Sequence, residues 1–215
     1  DLAENAPNFA MGYAAQRYAA ERAVGAHDAL LPALEDLTRR HPQVVAWRAA
    51  YARALAEAGQ QSAAATVLDD VVERLPGSPR NWAWVAAVTV AAEAAARLAA
   101  APAATVLEPL LAPYAGQLVV IASGTSCEGA VDRYRALIAA TCGDDDTAAR
   151  RFEAALALED GAGAPALTVR TKIDFAALLR RAGTRAARNT ASQLENSATL
   201  DMDRLGLVHE PAIPR

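Results

Sequence analysis

Residues 43–79 read QVVAWRAAYARALAEAGQQSAAATVLDDVVERLPGSP, and their periodicity decides the fold. Val44, Trp47, Tyr51, Leu55 and Ala58 recur at steps of three and four, which places them on one face of a helix. Ala64, Val67, Leu68, Val71, Val72 and Leu75 form a second such stripe. Gly59 stands between the stripes, where a residue without Cβ can take the left-handed turn that stops a helix. Pro76 and Gly77 then break the second helix. Ser78 suits the cap of the next helix, and Pro79 its first turn. The unit is helix, tight turn, helix, break.

That plan occupies about 34 residues, the period of tetratricopeptide repeats, and its residues resemble that pattern in part. Tyr51 and Ala52 give the large-then-small pair of the first helix, with Leu55 on the same face. Ala64 and Leu68 are the small and large residues of the second, and Pro76 is the terminal proline. Small positions let the two helices touch, and large ones fill the groove between neighbouring pairs.

Further pairs extend the pattern in both directions. Residues 8–41 read as one, hinging near Gly25–Asp28. Residues 79–114 read as another, without a glycine turn and with Pro109 and Pro113 expected to distort or end its second helix. Residues 131–160 repeat the plan with Tyr134, Ala136, the Gly143 turn, Ala148, Phe152 and Ala155, and Asp144–Asp146 suit the cap of the second helix. Residues 165–206 form a longer pair around Gly183. The fold expected is all-α: a tetratricopeptide-like right-handed α-solenoid of about five antiparallel helix pairs, one domain over 1–206 with a Pro-broken tail at 207–215. Such a stack has a concave face lined by the first helix of each pair.

Composition bounds the function. Hydrophobic residues make up 53% and charged residues 21% of 215, which fits a folded chain rather than a disordered one. Much of the apolar share is Ala, the strongest helix former. A net charge of −4 gives no electrostatic footprint for direct nucleic-acid binding. The two cysteines, Cys127 and Cys142, make neither a disulfide framework nor a metal spacing, so a reducing, cytoplasmic setting is expected. No stretch has the length of a membrane span. The chain opens on Asp1 rather than Met, which suggests a fragment or a processed form.

Residues 116–130, GQLVVIASGTSCEGA, depart from the helical pattern. An apolar run followed by a Ser/Gly/Cys cluster and a helix is how some hydrolases present a nucleophile. The elbow pattern Gly-x-Ser-x-Gly is missed by one residue here. The histidines, His27, His41 and His209, offer no evident base. Thr125-x-x-Glu128 instead matches a capping box. The expectation is a helix over 126–142 preceded by an extended or short helical connector, with Cys127 near the helix start.

A second resemblance spans most of residues 8–206 and is most specific around 110–156. That span is similar to the helical region of large actinobacterial regulators that join a signal-transduction ATPase to tetratricopeptide-like repeats, many with a nucleotide-cyclase domain or a LuxR-type helix-turn-helix. Leu110–Gly116, Val119, Val120, Cys127, Tyr134 and Phe152–Leu156 carry the likeness. Arg135 and the unit 184–206, rich in Asn, Ser and Thr, depart from it. No Gly-x-x-x-x-Gly-Lys-Ser/Thr phosphate loop is present, so the resemblance implies the repeat portion of such a regulator and not its ATPase.

The function expected is a non-enzymatic, cofactor-free module for protein–protein interaction or signal relay. Its partner would be a protein segment or another domain of its parent regulator, and exposed apolar ends would favour a homodimer. The candidate interaction face comprises Tyr18, Arg48, Arg53, Trp84, Arg133 and Arg135, where arginines could clamp carboxylates. Trp82 and Trp84 are two apart and cannot share a helix face; one is expected in the core and the other in an exposed groove. An alternative is a small-molecule sensor with a pocket between repeats near Trp84 and the 116–127 connector. A third reading is a hydrolase at Ser126 or Cys127. The basic residues Arg170, Lys172, Arg180, Arg181, Arg185 and Arg188 read as a solvated face, and Asp144–Asp146 as caps rather than a cation site.

Overall fold

The computed structural model describes residues 2–23, 27–121, 124 and 126–208, with side chains described at 12–22 and from residue 30 onward. It is an all-α solenoid. Five helix pairs follow one another: α1 (Leu2–Ala23) with α2 (His27–Arg40), α3 (Val45–Glu57) with α4 (Gln61–Arg74), α5 (Trp84–Arg97) with α6 (Ala101–Leu111), α7 (Val131–Thr141) with α8 (Asp145–Gly161), and α9 (Pro165–Ala182) with α10 (Arg185–Leu205). The helices α3, α5, α7 and α9 pack side by side as an inner layer.

The turns within three pairs, and the one joining the fourth pair to the fifth, share one device. Gln60 N–H donates to Leu55 O, Ala100 to Ala95, Asp144 to Ala139 and Ala164 to Glu159, at 2.8–3.1 Å. Each is the six-to-one bond of a Schellman turn, which needs a left-handed residue just before the donor. Gly59, Gly143 and Gly163 supply it; between α5 and α6 the residue is Ala99, at φ 51°. The expected missing glycine is therefore real, and an alanine bears the strain. Pro109 does not end α6, which runs to Leu111 before a 3-10 turn at Ala112–Tyr114 takes up Pro113.

The core is built on alanine. Ala49, Ala52, Ala91, Ala92, Ala94, Ala95, Ala104 and Ala136 are buried to 0% exposure. Larger residues, among them Leu34, Leu68, Tyr134 and Phe152, fill the space between pairs, and one continuous cluster runs from Ala15 to Leu178.

The connector corrects the sequence expectation. Leu118–Ile121 (β1) pairs antiparallel with Ser126–Ala130 (β2), and α7 begins only at Val131, with Ala130 as an N-cap that makes no side-chain bond. Glu128 is thus in a strand, not three residues into a helix; Thr125 lies outside the described residues. The register, Leu118 with Ala130 but Val120 with Cys127, puts one extra residue into β2. Gly129, at φ 104°, sits at this bulge. The hairpin base is tied to α7 by Val131 N–H to Gln117 O at 2.9 Å and Tyr134 O–H to Glu128 O at 2.6 Å. The hairpin lies against α1, α5, α7, α8 and α9.

Candidate functional site

Under the hairpin the inner layer carries a cluster of ions. Glu93, on α5, is fully buried. Arg22 of α1 reaches its Oε1 at 2.5 Å, and Arg97, one turn along α5, at 3.2 Å. Arg53 of α3 and Arg133 of α7 approach its Oε2 at 3.2 and 3.5 Å. The outer members are Glu57, between Arg22 and Arg97 at 3.5 and 3.3 Å, Glu128 of β2, 3.8 Å from Arg53, and Asp174 of α9, which takes two bonds from Arg133 at 2.6 and 3.0 Å. Among the described residues, four guanidinium groups face four carboxylates in this cluster.

Its electrostatics follow from burial and neighbours. Burial opposes the charge on Glu93, yet Arg22, Arg133, Arg53 and Arg97 outweigh it and hold its carboxyl well below the usual carboxylate range. Burial likewise opposes the charges on Arg53 and Arg133, but the surrounding carboxylates raise both. Asp174 goes the other way: its burial outweighs Arg133 and pushes its carboxyl up. Glu159 of α8 is raised for the same reason, although Ala130 N–H at 2.9 Å and Thr171 O–H at 2.8 Å both donate to it. Glu159 thereby clamps the hairpin to α8 and α9.

The structure distributes the candidate interaction residues unevenly. Arg53 and Arg133 do lie on the inner layer, but inside the cluster, at 0% and 2% exposure. Tyr18 is buried beneath the Arg53 guanidinium, 5.0 Å from ring centroid to carbon. Trp84 is buried too, its indole N–H donating to Leu75 O at 3.3 Å, and Trp82 is the exposed ring. The inner face offers these four little surface, because side chains and the hairpin fill it. Arg48 is half-buried and pairs with Asp70 at 2.8 Å. Arg135 pairs with Glu108 and Asp132 at 2.9 and 3.3 Å, which explains a charge where an apolar residue was expected.

Ser126 and Cys127 lie in β2 rather than at a strand-to-helix turn. Burial pushes the Cys127 thiol up, the reverse of an activated nucleophile. His41 follows α2, and the side chains of His27 and His209 lie outside the described residues. Asp144 caps α8, accepting from Thr147 N–H at 3.1 Å. Among the described residues no group of three or more His, Cys, Asp or Glu is placed to hold a metal ion, and no helix is long and apolar enough to cross a membrane.

Sequence reasoning missed Glu93, Arg97, Arg22, Glu57 and Asp174. A signal existed for the first two: Glu93 and Arg97 are the only ions in the otherwise apolar helix WVAAVTVAAEAAAR, where each would be buried.

The fold and the site define a helical-repeat module whose inner face is closed by its own ions and hairpin. Residues 3–77, spanning α1 to α4 and the 3-10 turn after it, match the family described as Bacterial transcriptional activator domain. The chain is thus similar to a helical domain of bacterial regulators over its first two helix pairs. No curated protein and no solved structure matches the chain.

Proposed function

We propose that this chain is a non-catalytic relay module of a bacterial transcriptional regulator, which docks on another domain of that regulator. The observation that carries the reading is Glu93, gripped by arginines from α1, α3, α5 and α7. A displacement of any one inner helix strains ion pairs on the others, so a partner bound at one end is felt along the stack. The partner meets the outside of the module, because the inner face is filled. Trp82, at 45% exposure just before α5, is a large aromatic outside the main core cluster and is the contact residue of this reading.

The test is calorimetric titration of the chain with the other portions of its regulator, each supplied separately, alongside light scattering. One portion binds, and Trp82→Ala weakens it on the order of tenfold without altering the melting temperature. A chain that binds none of those portions, or that binds one regardless of Trp82→Ala, sinks the reading in whole or at the named contact. The fate of direct nucleic-acid binding and of a homodimer is read from the same experiment: the chain is expected to ignore duplex DNA, and a concentration-dependent mass would reveal self-association.

A further inference from the structure

One opening is left at the edge of the inner layer. Past Asp174, an outer member of the ion cluster, the C-terminal ends of α5 and α7 and the last turns of α9 enclose a cleft of about 130 Å³. Ala96 of α5, Ala140 of α7 and Ala177 of α9 leave this space because their side chains are short, and Leu137 and Phe152 add apolar wall. Two charged residues also line it, Asp174 and Arg181. Both are on α9, two turns apart on one face, or about 10 Å along the axis.

Asp174 presents an oxygen to this cleft. Arg133 directs both of its bonds to Oδ2, at 2.6 and 3.0 Å. Oδ1 takes no hydrogen bond among the described residues. Nor is it sealed from solvent, as the unbonded Arg133 Nη1 is, so the 7% exposure that Asp174 keeps includes this atom. Burial pushes the Asp174 carboxyl up, so its charge is under-supported within the protein. A donor that carries positive charge is the strongest partner for such an oxygen. The last turns of α5 and α7 add the negative ends of two helix dipoles to the same cleft.

Arg181 stands at the mouth. Its side chain is 41% exposed, reaches Ala140 O at 3.4 Å and pairs with Asp145 of α8. A surface pair of that kind is weak, so the guanidinium can take another carboxylate in exchange. Side chains on a helix lean toward its N-terminus, which brings Arg181 back toward Asp174. The cleft therefore offers an acceptor inside, a cationic fork at the mouth and an apolar wall between them. A ligand with one ammonium and one carboxylate satisfies both ends and adds no net charge to the ion cluster behind.

We propose that this cleft binds a free α-amino acid of alanine's size, its ammonium on Asp174, its carboxylate on Arg181 and its side chain against the alanines. The ligand touches α5, α7 and α9 at once. The site is separate from the docking contact at Trp82, and its test uses the chain alone.

L-Alanine is titrated into the chain by calorimetry, beside propionate, which lacks the ammonium, and L-alaninamide, which lacks the carboxylate. Alanine binds saturably, and each analogue is weaker by about tenfold or more. Arg181→Gln, at an exposed position, brings alanine down to the level of alaninamide and leaves alaninamide itself unmoved. Ala177→Leu, at a half-buried wall position, fills the cleft and abolishes binding. The absence of saturable alanine binding overturns the proposal, as does propionate or alaninamide that binds as tightly as alanine. So does undiminished alanine binding by the Arg181→Gln chain or by a folded Ala177→Leu chain. Should Ala177→Leu fail to fold, the analogues and Arg181→Gln decide.

Discussion

Two sets of ion pairs hold this molecule, and they differ in nearly everything but chemistry. On the outside, Arg48 meets Asp70 with both side chains about 30% exposed, and Lys172 meets Asp201. Inside, Arg22, Arg53, Arg97 and Arg133 surround Glu93 with almost no water in reach. An exposed pair gains little, because water already solvates both partners. A buried one must repay the loss of that solvation, and its members cannot be removed singly without leaving an uncompensated charge. The outer pairs decorate a fold that alanine packing has already made. The inner cluster makes the arrangement of the inner helices obligatory.

The largest test of that contrast is Glu93→Gln. It leaves four guanidinium groups facing three carboxylates in a dry site, and is expected to cost about 3–5 kcal/mol by urea denaturation. That is a large share of a domain's usual stability of roughly 5–15 kcal/mol. A cost like that of a surface substitution would mean that water enters the cluster. Next comes Gly129→Ala. A Cβ there would lie 2.9 Å from Glu159 Oε1, on a backbone at φ 104°. The clash and the strained backbone together cost on the order of 2 kcal/mol, and fast hydrogen exchange at the Ala130 amide would mark release of the hairpin.

Alanine at position 99 offers the opposite sign. Ala99→Gly relieves a left-handed alanine and is expected to stabilise the chain by about 1 kcal/mol, read as a rise in melting temperature. Smallest is Arg48→Ala, which should cost less than about 1 kcal/mol and lose even that in high salt.

Acid titration separates the carboxylates by sign. Glu93 titrates lower in the folded chain than in the unfolded one, so its contribution is present above the ordinary carboxylate range and is lost as pH falls through its depressed value. Glu159 and Asp174 titrate higher when folded. Their folded forms bind the proton more tightly, so they add stability as pH falls from neutral toward the ordinary carboxylate range. Glu159→Gln should flatten that upper part of the stability–pH curve and leave the lower part, due to Glu93, in place. An unchanged upper limb would show that Glu159 does not titrate there.

How much of this was legible in sequence depends on the range of the interaction. The helix pairs were readable because the residues that define them lie three, four or seven apart: Trp47, Tyr51 and Leu55 announce α3 without help from any other part of the chain. The hairpin was half-readable. Leu118–Ile121 read as an extended or short helical connector, but SCEGA has no strand pattern, and its pairing rests on a glycine bulge and on Glu159, twenty-nine residues beyond Ala130. Thr125 and Glu128 meanwhile had the spacing of a capping box, a local signal that the tertiary contact overrode. The cluster was visible only in fragments. Arg53 and Arg133 lie on helices of the inner layer, but Glu93 is forty residues from Arg53 and Asp174 forty-one from Arg133, and no periodicity joins either pair. Without those partners, two buried arginines looked like a surface meant for something else. Trp82 and Trp84 were swapped for a related reason: a helical period says that they face apart, not which of them faces in.

Repeat arrays ordinarily unfold like a row of dominoes, each unit leaning only on the next, so that end units fray first and shortened arrays still stand. The bond from Arg22 to Glu93 spans seventy-one residues and ties α1 to α5 past the intervening pair. Such a tie removes the freedom to unravel by instalments. The chain should melt in a single transition, and cutting away its first helix should disturb the middle of the stack as much as its end.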